Sequence, residues 1–189
     1  MTEYLSVQAH KALFALQSDS KQVIGHMDPI IYLRMFDTYV LPILEYNSEI
    51  WSSEKPVSEL EVLQPGYLKR MLGVGKQTPS LAVYGETGRF PLHVRQKVRK
   101  VNYWMRLEKN APDGSLLRRC LQIQKDTHTN RANETNWFSK IINILSTCNI
   151  EYETSNTTNL DFDSICRTVK SKLYEIEQEQ LFISINDST

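Results

Sequence analysis

Arg95, Arg99 and Arg106 have the residue type and spacing to do chemistry together. On a helical wheel of about 100° per residue they fall within about 40° of one another, and Tyr103 borders them. Val94, Val98, Val101 and Met105 form a narrow apolar stripe roughly a quarter turn away, flanked by Trp104. A helix docked by that stripe would point three guanidinium forks the same way, beside a ring able to stack or hydrogen-bond. The planar fork suits phosphate oxygens, and contacts to a sugar–phosphate backbone need no reading of bases. The other reading is a solvated basic face that pairs with the acidic termini of the same chain. Spacing leaves both open.

These arginines lie in a basic block. Between Gly66 and Cys120 stand twelve Lys or Arg and three Asp or Glu, a local charge of +9. The 189-residue chain carries 22 basic and 22 acidic residues, so everything outside the block sums to −9. Lys69, Arg70, Lys76 and Arg89 share the block and extend the candidate nucleic-acid-binding set.

Other constellations are weaker. Gly73-Val-Gly75-Lys76 resembles a phosphate loop only faintly, because Arg70 occupies the earlier glycine position and Gln77 follows the lysine. Helix-terminating glycines are the better reading. Asp161 and Asp163 precede an apolar helix, where acids complement the dipole, so capping is expected rather than metal binding. The histidines at 10, 26, 93 and 128 are scattered and give no zinc spacing. Cys120 reads as core, and Trp51, Trp104 and Trp137 as apolar anchors. No nucleophile–base pair or carboxylate pair stands out. The expectation is a protein that is not an enzyme, with no metal and no cofactor.

The elements that must position these residues read as helix after helix. The first runs from about Glu3 to Gln17, with Leu5, Ala9, Ala12 and Leu16 on one face. Asp28-Pro29 caps a second, whose apolar face is Ile30, Leu33, Phe36 and Val40 until Pro42 interrupts it. Residues 42–51 are dense in large apolar groups and read as core. Ser58-Glu-Leu-Glu61 has the capping-box pattern, and Pro65-Gly66 should break or restart the helix that it opens. A short helix follows Thr78-Pro79, Gly85 and Gly88 mark a turn, and Pro91 opens the basic helix to about Asn110. Ser115 caps a helix to roughly Gln124, and THTNRANETN then reads as a linker. Trp137, Ile141, Ile144 and Cys148 define another helix. Phe162, Ile165, Val169, Leu173 and Ile176 define the last. The fold class is all-α, an irregular helical bundle over residues 1–125 with a polar linker and a smaller helical tail over 126–189.

Composition bounds the rest. At 41% apolar and 23% charged, the chain has the make-up of a globular protein, not of wholesale disorder. No apolar run approaches the roughly 18–20 residues of a membrane span, so no membrane is expected as partner. No signal peptide is visible, and three widely spaced cysteines suggest free thiols in a reducing, intracellular compartment, cytoplasmic or nuclear.

The order of residues also resembles a family. Phe36-Asp-Thr-Tyr-Val40, Pro42-Ile-Leu, Ser48-Glu-Ile-Trp51, Leu68-Lys-Arg-Met-Leu-Gly-Val74, Val83-Tyr-Gly-Glu86, Gly88-Arg-Phe-Pro-Leu92 and Tyr103-Trp104 are similar to the region downstream of the polymerase core in non-LTR (LINE-type) retrotransposon reverse transcriptases. The block from Gly85 to Leu92 is the most specific. Asn47 stands where the family usually has glycine, and Pro65-Gly66 where it usually has a continuous helix. The resemblance implies a helical, thumb-like segment that packs beside a template–primer duplex. The family's catalytic Tyr-x-Asp-Asp box has no counterpart in the sequence, so the chain looks like a non-catalytic fragment of a transposon-derived reading frame. The implied partners are RNA, DNA or an RNA–DNA hybrid, bound weakly and without sequence preference, or the remainder of a polymerase in trans. A thumb without its palm would expose apolar surface and could oligomerise through it. The alternative is a helical protein-interaction module, or an inert remnant, that binds no nucleic acid.

Overall fold

A computed structural model of the chain describes residues 1–20, 28–52, 56–130, 136–152 and 162–186. These residues form helices and connecting turns with no strand among them, so the fold is all-α. Of the described residues, 1–48, 56–93 and 180–186 make one compact unit, and 49–52 with 94–179 make a second. The expected division near residue 125 instead falls inside a helix, Leu116–Asn130. Thr127 and Thr129 of the expected linker continue that helix by returning their hydroxyls to the carbonyls of Ile123 and Lys125. Residues 131–135 of the linker lie outside the described residues, as do Asp161 and His26.

The first unit begins with α1 (Thr2–Ser20), α2 (Pro29–Tyr39) and α3 (Leu41–Leu44). Asp28 caps α2 as its sequence indicated, accepting from the Ile30 amide at 2.7 Å. The buried faces are not quite those of the wheel. In α1 they are Leu5, Ala9 and Leu13, and in α2 Tyr32 and Phe36, with Val40 after it, while Ile30 is exposed. Tyr32 wins because Tyr67 stacks on it at 4.3 Å and donates its hydroxyl to the Tyr32 carbonyl at 2.8 Å. Within residues 42–51, Leu44, Glu45 and Ser48 are buried, whereas Tyr46 and Ile50 are exposed.

Next come α5 (Ser58–Glu61), α6 (Leu63–Met71) and α7 (Ser80–Thr87), which follow α4 (Ser48–Trp51) in the chain. The capping box does not form. Val57 is the N-cap of α5 and makes no side-chain cap. Glu61 reaches instead to a helix 31 residues away, accepting from the Leu92 and His93 amides. The break expected at Pro65 occurs at Val62, three residues earlier. Pro65 then lies in the first turn of α6, where its missing N–H costs nothing. Gly73 closes α6 at φ 68, with Gly73 N–H to the Arg70 carbonyl and Val74 N–H to Lys69. This is the Schellman arrangement, so the helix-ending reading of Gly73 is the correct one. Gly88 closes α7 the same way, while Gly85 is helical. Asn47 has φ 51, a left-handed conformation that glycine adopts most easily and asparagine tolerates.

The second unit holds α8 (Leu92–Asn110) from Val94 onward, α9 (Leu116–Asn130), α10 (Trp137–Thr147) and α11 (Phe162–Asn186) to Glu179. Ser115 caps α9 through its hydroxyl, which accepts from Arg118 N–H, and Asn136 caps α10. The core is Trp104, wedged edge-on against Phe138 at 6.0 Å and Tyr152 at 5.0 Å. Ile141, Ile144 and Cys148 of the expected α10 face and Val169 and Leu173 of α11 close around it. Cys120, expected in the core, is exposed. The buried position of α9 is its neighbour Leu121, one step around the wheel.

Candidate nucleic-acid interface

The first two residues of α8 belong to the first unit and are capped within it. Leu92 and His93 present the free amides of a helix N-terminus, and the Glu61 carboxylate takes both, at 3.1 and 2.5 Å. Just before them, Arg89 forms a two-pronged ion pair with Asp37, both N–O distances 2.7 Å, and the Phe90 carbonyl accepts from Gln64.

Within the second unit, α8 buries far more of its circumference than the narrow stripe. Val94, Val101, Trp104 and Met105 are buried, but so are Gln96 and Lys100 on the far side of Trp104. The sequence did not mark Lys100, a cation only 1% exposed. Its ammonium donates to the Ser52 carbonyl at 2.6 Å. Burial lowers its pKa from 10.5 to about 8, and the nearby charge of Lys140 pushes the same way. Glu108 is a second hidden charge. One of its oxygens accepts from the Trp104 indole at 2.9 Å and faces the Lys125 ammonium at 2.5 Å, and the other lies 3.5 Å from Arg118. Burial, with the negative charge of Glu108 adding to it, raises the pKa of the Tyr152 hydroxyl well above its ordinary value.

Val98 and Leu107 pack against the same core, which leaves a narrower face of α8 to water. Arg99 and Arg106 are exposed, Arg95 is half-buried, and all three lie along one line of the helix. Their surroundings qualify them unequally as phosphate ligands. Arg99 lies 3.6 Å from the Glu49 carboxylate. Arg106 covers the Tyr103 ring at 5.7 Å, and Trp137 meets that ring edge-on at 6.0 Å. Tyr103 is thus half-buried between an arginine and a tryptophan rather than open for a base to stack on.

The other four predicted residues belong to the first unit. Arg89 is held by Asp37. Arg70 is exposed at the end of α6. The Lys69 ammonium donates to the Lys76 carbonyl at 3.1 Å, which brings the last turn of α6 to the loop that follows it. The set of eight therefore divides into Arg95, Arg99, Tyr103 and Arg106 on α8 and a separate group of Lys69, Arg70 and Lys76, with Arg89 occupied in the fold.

Sequence reasoning missed Glu49, Glu61, Lys100 and Glu108. Only Glu61 had a signal, its place in Ser-x-x-Glu, and that signal pointed to the wrong helix. Among the described residues no group of His, Cys, Asp and Glu is arranged to hold a metal ion, and no helix is long and apolar enough to cross a membrane. No protein-family model, no curated protein and no solved structure matches the chain.

Proposed function

We propose that this chain is a non-catalytic helical module of reverse-transcriptase descent that holds nucleic acid weakly, through phosphates and without sequence preference, along the exposed line of α8. The observation that carries the reading is the exposure of Arg99 and Arg106 at the middle of the solvent face of a helix whose other side is buried. The residue order that resembles a retrotransposon thumb supports it, since a thumb must touch a duplex backbone without reading bases. Its partners would be RNA, DNA or their hybrid inside the cell, with a polymerase supplied in trans.

Fluorescence anisotropy with a labelled RNA–DNA hybrid, titrated at several salt concentrations, tests this. Two or three phosphate contacts give a log–log slope of about −2 to −3, at roughly −0.9 per phosphate on a duplex. Replacing Arg95, Arg99 and Arg106 by alanine should flatten it. An unchanged slope removes the role given to this line of residues.

A second reading has its own support. Arg89, Arg99 and Arg118 are each paired with an acid of the same chain, Asp37, Glu49 and Glu108. That three of the block's twelve cations are satisfied internally favours a helical protein-interaction module or inert remnant. Exposed Leu116, Leu117 and Ile123 on α9 would then be the surface for a partner or a second copy. Failure to bind the hybrid at low salt, by a chain shown to be folded, favours this reading.

A further inference from the structure

We infer that a cavity in the first unit is a binding site for a small amphipathic anion, an apolar body with one carboxylate, sulfonate or phosphate head. The cavity has a volume of about 1110 Å³ and lies among α1, α5, α6 and α7. Lys69, Arg70 and Lys76 line it. Lys69 reaches the backbone of Lys76, so the last turn of α6 and the following loop form one cationic edge. Among the described residues none of these three has a carboxylate partner, in contrast to Arg89, Arg99 and Arg118. The acid in the wall, Glu61, is already committed to the start of α8.

The remaining wall is mostly apolar, interrupted by His10, Ser58, Ser80 and His93. Phe14 is 73% exposed, Val62 60% and Val74 39%, although all three line a concave surface that a ligand could cover. Uncovered apolar groups beside uncompensated cations specify both ends of a ligand. The body must be apolar to cover Phe14 and Val62, and the head must be anionic to meet Lys69, Arg70 and Lys76. A concavity near the upper end of small-molecule sites suits one compact ligand better than an extended chain. The inference does not rest on the arginines of α8.

The probe is 1-anilinonaphthalene-8-sulfonate, an apolar ring system with one anionic head, titrated into the full chain by fluorescence. The expected result is saturable binding at one site, displaced by decanoate about tenfold more effectively than by neutral decanol, the margin of one charge-assisted contact. Arg70→Glu with Lys76→Glu should weaken the probe and decanoate about tenfold and leave decanol unchanged. Phe14→Ala should weaken all three. Lys76→Gln, a single change in an exposed loop, should shift the anions the same way if the double variant fails to fold. The triple alanine variant of Arg95, Arg99 and Arg106 should bind the probe as the parent does, so the two sites fail separately. Equal displacement by decanoate and decanol overturns the inference. So does charge reversal or neutralisation with no effect on the probe, or non-saturating binding. Displacement of the probe by an RNA oligonucleotide but not by decanoate would give these cations to nucleic acid and overturn it as well.

Discussion

Lys100 offers a direct measure of what the second unit gives up by burying a cation. The residue is 1% exposed, its ammonium donates to the Ser52 carbonyl at 2.6 Å, and burial pushes its pKa down from 10.5 to about 8. The unfolded chain therefore holds this proton more tightly than the folded one. At neutral pH the folded state carries the full cost of the buried charge. As pH rises from about 8 to 10.5 the folded lysine is already neutral while the unfolded one still binds its proton, so stability rises with pH. A gap of that size corresponds to about 3 kcal/mol over the whole window, and to roughly 1 kcal/mol between pH 7 and pH 9. Burial also raises the pKa of Cys148, Cys166, Tyr67 and Tyr152, which works in the opposite direction at high pH. A comparison with Lys100→Met cancels those terms. At pH 7 methionine removes the buried charge but orphans the Ser52 carbonyl, at a cost of about 1–3 kcal/mol, so the two proteins should be of similar stability. Urea melts at steps from pH 7 to pH 10 should then separate, with the parent gaining about 2–3 kcal/mol on the variant. Parallel curves would refute the reasoning, because they would mean that the ammonium keeps its ordinary pKa and is not desolvated.

Glu108→Leu should destabilise the chain by about 3 kcal/mol in urea, because it leaves Lys125 facing a buried site with no counter-charge; a loss below about 0.5 kcal/mol would mean that the pair contributes little. Glu61→Ala should cost about 1–2 kcal/mol and speed hydrogen exchange at the Leu92 and His93 amides specifically, and a uniform change across α8 would count against the cap. Glu49→Gln removes the carboxylate 3.6 Å from Arg99 and should tighten the RNA–DNA hybrid at low salt; unchanged affinity would mean that Arg99 touches no phosphate.

What the sequence revealed was local. Asp28-Pro29, Ser115 and Gly88 act within a turn of themselves, and each does in the structure what its type suggested. Exposure of Arg99 and Arg106 agrees with their place a quarter turn from the apolar stripe, but periodicity alone did not fix it, since Gln96 and Lys100 on the arc opposite the stripe are buried. What failed depended on partners far along the chain. Glu61 caps a helix 31 residues on, Lys100 finds a carbonyl 48 residues back, and Trp137 donates to Glu49 across 88 residues. A wheel has no knowledge of such partners, so it drew the buried face of α8 too narrow. It also cannot choose between two apolar arcs on one helix. In α2 the ring of Tyr67 chose Tyr32 over Ile30.

The residues that carry the family resemblance and the three α8 arginines proposed to hold nucleic acid are different sets, and the structure gives them different work. Asp37 of Phe36-Asp-Thr-Tyr receives Arg89 of Gly-Arg-Phe-Pro-Leu, and Phe36 packs on Tyr67. Phe90 and Leu92 of the same block bond to Gln64 and Glu61. Asn47 occupies a left-handed position, which is a physical reason for glycine there, and Trp104 fills the core of the second unit. All of these hold the fold, whether or not a nucleic acid is ever bound. Arg95, Arg99 and Arg106 lie outside those blocks. Descent and binding are therefore separable claims, since a chain could keep every one of these pairings and lose its affinity through Arg99 alone. For that reason the salt titration with Glu49→Gln and the triple alanine variant bears on the binding line of α8 and leaves the origin of the fold untouched.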